Sequence, residues 1–402
     1  MENEYTFNPS TANKHQFPCK NCGGFLTFQP GMKSLVCQFC GTQNEIIDDT
    51  TIEIKEIDYK SFIENLANNA PRVQVATVKC TSCGAESTMK PNVTSDFCPF
   101  CGTALVLESG TLQTEIKPQA LLPFKIPQKQ SFSLFKEWIN GLWFAPNGLK
   151  KYADNHEKLT GMYIPYWTYD SNTYSRYTGE RGEYYYVTET YRDEDGNTQT
   201  REVQKTRWYP ASGSVSHSFD DVLTMGSHSL PANYAQELEP WDLHELAPFN
   251  EQYLSGFRAE SYQVDVKEGF EIAKRRMDDV IDGLVRQDIG GDTQQVHSIN
   301  TTYNDITFKH VLLPIWISAY RYNGKVYRFM INGRTGEVQG ERPWSWVKIT
   351  LAVLFVLTII IGAVYLLQKD KKPRHRHYRN EHIRVEQQLF TQKYKSESFL
   401  NI

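Results

Sequence analysis

Apolar positions recur along this chain in two rhythms, and each change of rhythm marks an element. Over 266–287 the set Val266, Phe270, Ala273, Met277, Val280 and Leu284 steps by three and four, the stripe of an amphipathic helix. Asp265 and Glu268 form an N-terminal capping pair for it. Residues 131–142 place Phe135, Trp138, Ile139 and Leu142 on one helical face, and 60–69 predicts a short helix ended by Pro71. Residues 162–177 and 183–192 are instead rich in Tyr, Thr and Val, the composition of strands. A turn signal at 193–197 and a polar return over 198–208 make 183–208 a long hairpin that projects into solvent. Residues 311–322 and 325–332 flank Asn323-Gly324 as a second hairpin, followed by 333–336 and a last short strand. The mixture reads as α+β. Tyr163-Ile-Pro-Tyr-Trp167 and Leu312-Leu-Pro-Ile-Trp316 share an apolar-Pro-apolar-Trp phrase after a helical stretch, which fits either a duplicated helix-plus-hairpin unit or coincidence.

One apolar run has no rhythm at all. Residues 347–367 are about 21 residues whose sole charge, Lys348, lies at the edge. At 1.5 Å per residue they span about 31 Å as a helix, enough for a hydrocarbon core. Trp344, Trp346 and Tyr365 suit the headgroup interfaces. The expectation is one C-terminal transmembrane helix.

The cysteines add metal chemistry. All eight belong to one unit written twice: Cys19, Cys22, Cys37 and Cys40, then Cys80, Cys83, Cys98 and Cys101, offset by 61 residues. Gly23/Gly84, Pro30/Pro91, Phe39/Phe100, Gly41/Gly102 and Thr42/Thr103 keep the offset. A CxxC turn aims two sulfurs at one point, and two such turns complete a tetrahedral thiolate site. Glycine after the second Cys gives the turn the backbone freedom it needs. The expected cofactors are two structural Zn²⁺ ions: four protein ligands leave no open position for catalysis, and modules of about 30 residues need a metal to hold them together. The alternative, a disulfide framework, requires an export signal, and the acidic, polar start Met-Glu-Asn-Glu-Tyr carries none.

Charge narrows the partners. Forty-three Lys and Arg against forty-seven Asp and Glu leave a net charge of −4. The modules hold only scattered lysines (Lys20, Lys33, Lys79, Lys90), and phosphate binding needs them clustered. Protein partners are therefore favoured over nucleic acid. No GxGxxG, HExxH or GxSxG motif is present, so no catalytic residue is assigned and a small-molecule substrate is not expected. His156, His217, His228, His244, His297 and His310 stand isolated as ordinary surface or core residues. Asp220-Asp221 and Asp278-Asp279 read as helix-start and solvated-face charges. Nine tyrosines over 163–191 read as cross-strand aromatic pairing, with a tyrosine-lined peptide groove as the sharper alternative.

The organisation expected is a four-cysteine zinc ribbon at 15–48, a linker at 49–74, a second ribbon at 75–110, an α+β domain at 111–343, the span at 347–367 and a basic tail at 368–402. The tail's Lys and Arg would place it in the cytosol by the positive-inside rule. That orientation exports more than 340 residues without a leading signal, so the large N-terminal region is placed on the cytoplasmic side.

The paired CxxC…CPFCG units, LPFKI (122–126), WFAPNGLKK (143–151), GMYIPYWTYD (161–170) and TGEVQGERPWSW (335–346) before a span resemble bacterial TFIIB-type zinc-ribbon membrane proteins. The resemblance covers most of 15–367. Such proteins are often labelled primosomal- or helicase-like, but this chain has no Walker motif to carry that activity. The expected function is a non-enzymatic, membrane-tethered adaptor that binds partner proteins. A membrane-anchored nucleic-acid factor and an enzyme with a site in the Tyr-rich domain are the alternatives.

Overall fold

The computed structural model describes residues 17–47, 53–64, 72–88, 95–101, 103–106, 110–149, 159–193, 196–322 and 325–369. The N-terminal lead-in, Pro91, Gly102, the Asn323-Gly324 turn, the tail beyond Lys369 and the 60–69 helix past Glu64 lie outside them. The chain forms two compact units. One runs to Pro343 without Phe144–Pro146; the other joins Phe144–Pro146 to the segment from Trp344.

The first cysteine module is a three-stranded antiparallel sheet of β1 (Leu26–Phe28), β2 (Ser34–Cys37) and β3 (Gln43–Glu45). After β4 (Ile57–Asp58) and a helix at Tyr59–Glu64 comes the second module. It is built from β5 (Arg72–Lys79), β6 (Glu86–Thr88) and β9 (Gly110–Ile116), with β7 (Ser95–Phe97) paired to β8 (Ala104–Val106).

The main sheet rests on β10 (Ala120–Leu121), β11 (Thr160–Arg192), β12 (Thr198–Met225), β13 (Ala247–Pro248), β14 (Arg258–Ala259), β15 (Thr293–Tyr322), β16 (Lys325–Asn332) and β17 (Val338–Gly340). Three of these far exceed the usual five or six residues: β11 has 33, β12 28 and β15 30. Sequence pattern explains how β11 survives at that length. Residues 161–169 are, apart from Thr168, apolar or aromatic and are buried on both faces, while 171–179 alternate buried and exposed. From Glu183 the side chains are largely exposed, and beyond Gly182↔Thr293 the β11/β12 ribbon continues without β15. The expected 183–208 hairpin is thus the tip of a much longer one. Register shifts beside Asp170 on both partner strands mark a bulge, and opposite it Asp221 and Asp305 take positive φ.

Each face of the sheet carries a core. On one side Met162, Ile164, Tyr166, Leu313, Ile315 and Ile317 pack with the second cysteine module. On the other, Trp167, Tyr169, Tyr177 and Phe308 pack with the long helix Val266–Ile289. Asp265 caps that helix by accepting from Glu268 N at 2.9 Å, as the sequence implies. Its buried stripe differs, however: after Met277 it runs Ile281, Val285, Ile289, while Val280 is 44% exposed. Steps of four follow a row inclined to the helix axis, so the buried face drifts around the helix along its length. The shorter helix, Gln128–Gly141, buries Phe135 and Ile139 and begins three residues before the expected start.

The apolar-Pro-apolar-Trp echo marks a structural duplication. β11 and β15 run antiparallel with Ile164 opposite Leu313, so the two phrases lie across each other about a local twofold. The relation extends in both directions. Trp167 Nε1 donates to Val264 O at 2.9 Å and Trp316 Nε1 to Ile126 O at 2.8 Å, and each acceptor stands two residues before a helix. Pro165 O accepts from Gly226 N and Pro314 O from Gly333 N, both at 2.8 Å. Gly226 O accepts from Gln263 N and Val264 N, and Gly333 O from Lys125 N and Ile126 N. β14 runs parallel to β11 as β10 does to β15. Residues 120–226 and 258–333 are therefore two copies of one unit (short strand, helix, long hairpin), each packing the start of its helix against the other's tryptophan. The prolines fit because a residue's N–H and C=O point the same way in a strand. At Pro165 and Pro314 that direction leads past the end of the hairpin ladder to a glycine turn, where no strand donor is required.

The unit from Trp344 is the helix Trp346–Lys369, anchored locally by Ser345 N to Phe144 O and Lys348 Nζ to Ala145 O, both 2.8 Å. Trp346–Leu366 is long and apolar enough to cross a membrane, and its apolar side chains are exposed on every side.

Candidate metal centres

The eight predicted cysteines gather as two clusters of four, with the ligand atoms of each within 4.8 Å of one another. Local backbone geometry brings them there. In the knuckles starting at Cys19, Cys37 and Cys80, the N–H of the glycine four residues on donates to the Cys carbonyl at 2.9, 3.0 and 2.9 Å. Those glycines, Gly23, Gly41 and Gly84, have φ of 71°, 72° and 75°, a region that side chains disfavour. Cys37, Cys80 and Cys98 N in turn reach the carbonyl five residues on, at 2.9, 2.8 and 2.7 Å.

Sulfur separations test the fit to a metal. Four thiolates about 2.3 Å from a tetrahedral ion stand about 3.8 Å apart. Cys19–Cys40 and Cys22–Cys37 measure 3.6 and 3.5 Å, and Cys80–Cys101 and Cys83–Cys98 both 3.6 Å. These are near the tetrahedral edge and far beyond a disulfide's length of about 2 Å. Each cluster is thus compatible with one ion held by four sulfurs. The repeated threonines add a hydroxyl to each set: Thr42 stands 3.1 Å from Cys40 Sγ and Thr103 3.2 Å from Cys101 Sγ. The Thr42 hydroxyl holds the Cys40 thiol down to about 5. At Cys101 burial pushes upward, but hydrogen bonds from Thr103 and from the neighbouring Cys83 and Cys80 together bring the thiol down to about 6.

The two clusters differ in setting. In the first, Cys22 and Cys40 are exposed. Its module touches the main domain along one edge, through Phe28 against Tyr253 and Phe257 and through Phe28 N to Ser255 O. In the second, Cys80, Cys98 and Cys101 are buried and belong to the main core.

The remaining polar candidates do not join these clusters. Asp220 and Asp221 lie on β12 at the bulge, not at a helix start, because β12 pairs with β11 on both sides of them; Asp221 takes its positive φ there, and its N–H donates to an Asp170 carboxylate oxygen at 2.7 Å. Asp170, Asp220 and Asp221 approach within 4.8 Å of one another, and Lys309 Nζ sets one positive charge beside them, 2.7 Å from Asp221 and 2.9 Å from Glu56. Asp278 accepts from Tyr303 OH at 2.7 Å on the exposed face of the long helix. His310 is buried, its Nδ1 2.9 Å from Ile116 O, and burial pushes it down to about 4, which leaves it neutral. The tyrosines do not converge on one groove. Tyr163, Tyr166, Tyr169 and Tyr177 are core, whereas Tyr184, Tyr185, Tyr186 and Tyr191 lie exposed on the arm. There Arg207 covers Tyr185 and Arg201 covers Tyr191, 5.0 and 5.5 Å from the ring centroids.

Glu260 is a buried acid that no sequence signal marks. It is 3% exposed and accepts from the Ser227 hydroxyl at 2.8 Å and from the Ser229 hydroxyl, and burial lifts its carboxyl to about 8. A single Glu amid polar residues carries no motif; only the duplication points to it, since its counterpart in the first unit is Leu122. Two cavities, of about 520 and 550 Å³, flank the first module. In the second of them Arg334 is committed to Asp242 and to Pro123 O.

The chain is 27% identical over 334 residues to the uncharacterized protein YdjG of Bacillus subtilis (strain 168), covering 83% of this chain and 91% of that one. No protein-family model matches the chain, and no solved structure matches it.

Proposed function

We propose that this protein is a single-pass membrane adaptor of the TFIIB-type zinc-ribbon kind, whose region before the span binds other proteins at the cytoplasmic face without catalysing a reaction. Its two four-cysteine clusters hold structural Zn²⁺: four sulfurs fill the coordination sphere, and a redox-inert ion that accepts tetrahedral thiolates suits knuckles built for rigidity. The helix Trp346–Lys369 is the anchor, since a helix apolar on all faces finds its partner in lipid.

The observation that carries the reading is the arm. From Glu183 to Arg207 two strands continue past the end of their third neighbour, exposed on both faces and studded with Arg-capped tyrosines. A ribbon of this kind contributes little to its own domain's core, and Tyr with Arg is the composition of protein-binding surfaces. Arm charges are mixed in sign, which disfavours a phosphate backbone.

Crosslinking and mass spectrometry in native membranes test this. The full chain is expected to yield arm-linked peptides from other proteins, and a chain ending before Trp344 to leave the membrane fraction and lose them. An unchanged set of neighbours after truncation, or fewer than two zinc atoms per chain by elemental analysis, would falsify it.

A further inference from the structure

The two cysteine modules correspond position by position, and Phe39 of the first answers to Phe100 of the second, each between the last two ligands of its set. Their surroundings are opposite. Phe100 is fully buried, in one core cluster with Val78, Met162, Ile164, Leu223 and Trp241. Phe39 is 78% exposed. Its ring is nonetheless placed: it lies over Gly24, where an added Cβ would stand 2.6 Å from the ring. A Cβ there would push the ring aside, and the counterpart of Gly24 in the docked module is Ala85. Phe25, next in sequence, is 52% exposed.

We propose that Phe39 is the anchor by which the first module docks into an apolar socket on a different folded protein, as Phe100 docks into this chain's own core. The inference rests on the adaptor reading and deepens it by naming the residue and the partner's chemistry. Three observations choose the occupant. In every copy of this chain the Phe100 socket is already filled, so a second copy offers Phe39 no equivalent site. Over 17–47 the charged residues are Lys20, Lys33 and Glu45, too few and too dispersed to recognise phosphates of nucleic acid or anionic lipid. An aromatic ring presented on a metal-stiffened turn loses little freedom on binding, which is the property of an interface anchor.

The test uses the full-length chain in its native membrane with the photoreactive residue p-benzoylphenylalanine at position 25. We expect an adduct to one heterologous protein whose linked peptide is rich in apolar residues. Phe39→Asp should lower that adduct at least ten-fold and Phe39→Leu should retain most of it, while both variants keep two zinc atoms per chain, because the ring is exposed. An adduct indifferent to Phe39→Asp, or formed only with lipid, nucleic acid or a second copy, overturns the proposal. The same probe at Tyr186 separates the two claims. Protein adducts from position 186 but not from 25 leave the adaptor reading standing and remove this one; none from either removes both.

Discussion

Glu260 shows most plainly how a side chain's setting changes its chemistry. An ordinary carboxyl gives up its proton near 4.5, whereas burial holds the proton on Glu260 to about 8. Between those values the folded chain keeps a proton that the unfolded chain has released, so stability falls as pH rises across the window. The difference is on the order of a few kcal/mol. Glu260→Gln retains an acceptor for Ser227 and Ser229 but has no proton to lose. Thermal unfolding in detergent is expected to show the variant matching the parent at pH 5 and melting several degrees higher at pH 8.5. Equal melting temperatures at both pH values would refute a buried, protonated Glu260. Nothing in the sequence around Glu260 distinguishes it from a surface glutamate, because burial is conferred by segments far away in the chain.

Among elements, the long helix and the two cysteine modules allow sharp comparisons. Met277 is fully buried and Val280 is half exposed, although the sequence alone put both on the same stripe. Met277→Ala should therefore cost about 2–5 kcal/mol, while Val280→Ala should stay within about 0.5 kcal/mol; denaturant titration distinguishes them. A helix's period is legible in sequence, but the drift of its buried face depends on the sheet it crosses. The modules make the same point. Their spacing is identical, yet Cys22 and Cys40 are open to solvent while Cys80, Cys98 and Cys101 are sealed in the core. A chromogenic chelator is expected to take one zinc per chain rapidly and the second only as the main domain unfolds. Cys22→Ser should abolish the rapid phase and preserve near-UV circular dichroism, whereas Cys98→Ser should lose both metal and tertiary signal. A single-phase release of two equivalents would count against unequal settings.

At the scale of the molecule, the duplication governs the layout. Two units of strand, helix and hairpin cross at Ile164 and Leu313, and each lends its tryptophan to the start of the other's helix. Trp167→Phe and Trp316→Phe each leave a buried carbonyl without its donor, so each should cost about 1–3 kcal/mol. Trp143→Phe, at an 82% exposed position, should change stability by less than about 0.5 kcal/mol. Unequal costs at the paired tryptophans would show that only one crossing carries the fold. The arm and the apolar helix take no part in these crossings.

Local chemistry was readable before any fold was known. The Cys knuckles, the capped amphipathic helix, the pairing of adjacent strands and the apolar run all depend on residues close together in sequence, where spacing and backbone preference act directly. Tertiary structure alone decided which cysteine module is sealed and which is open, that Asp170, Asp220 and Asp221 meet beside Lys309, and that a five-residue echo is a duplicated unit. Those outcomes turn on contacts between distant segments and on backbone hydrogen bonds, which hardly depend on side-chain identity and so leave little trace in a sequence.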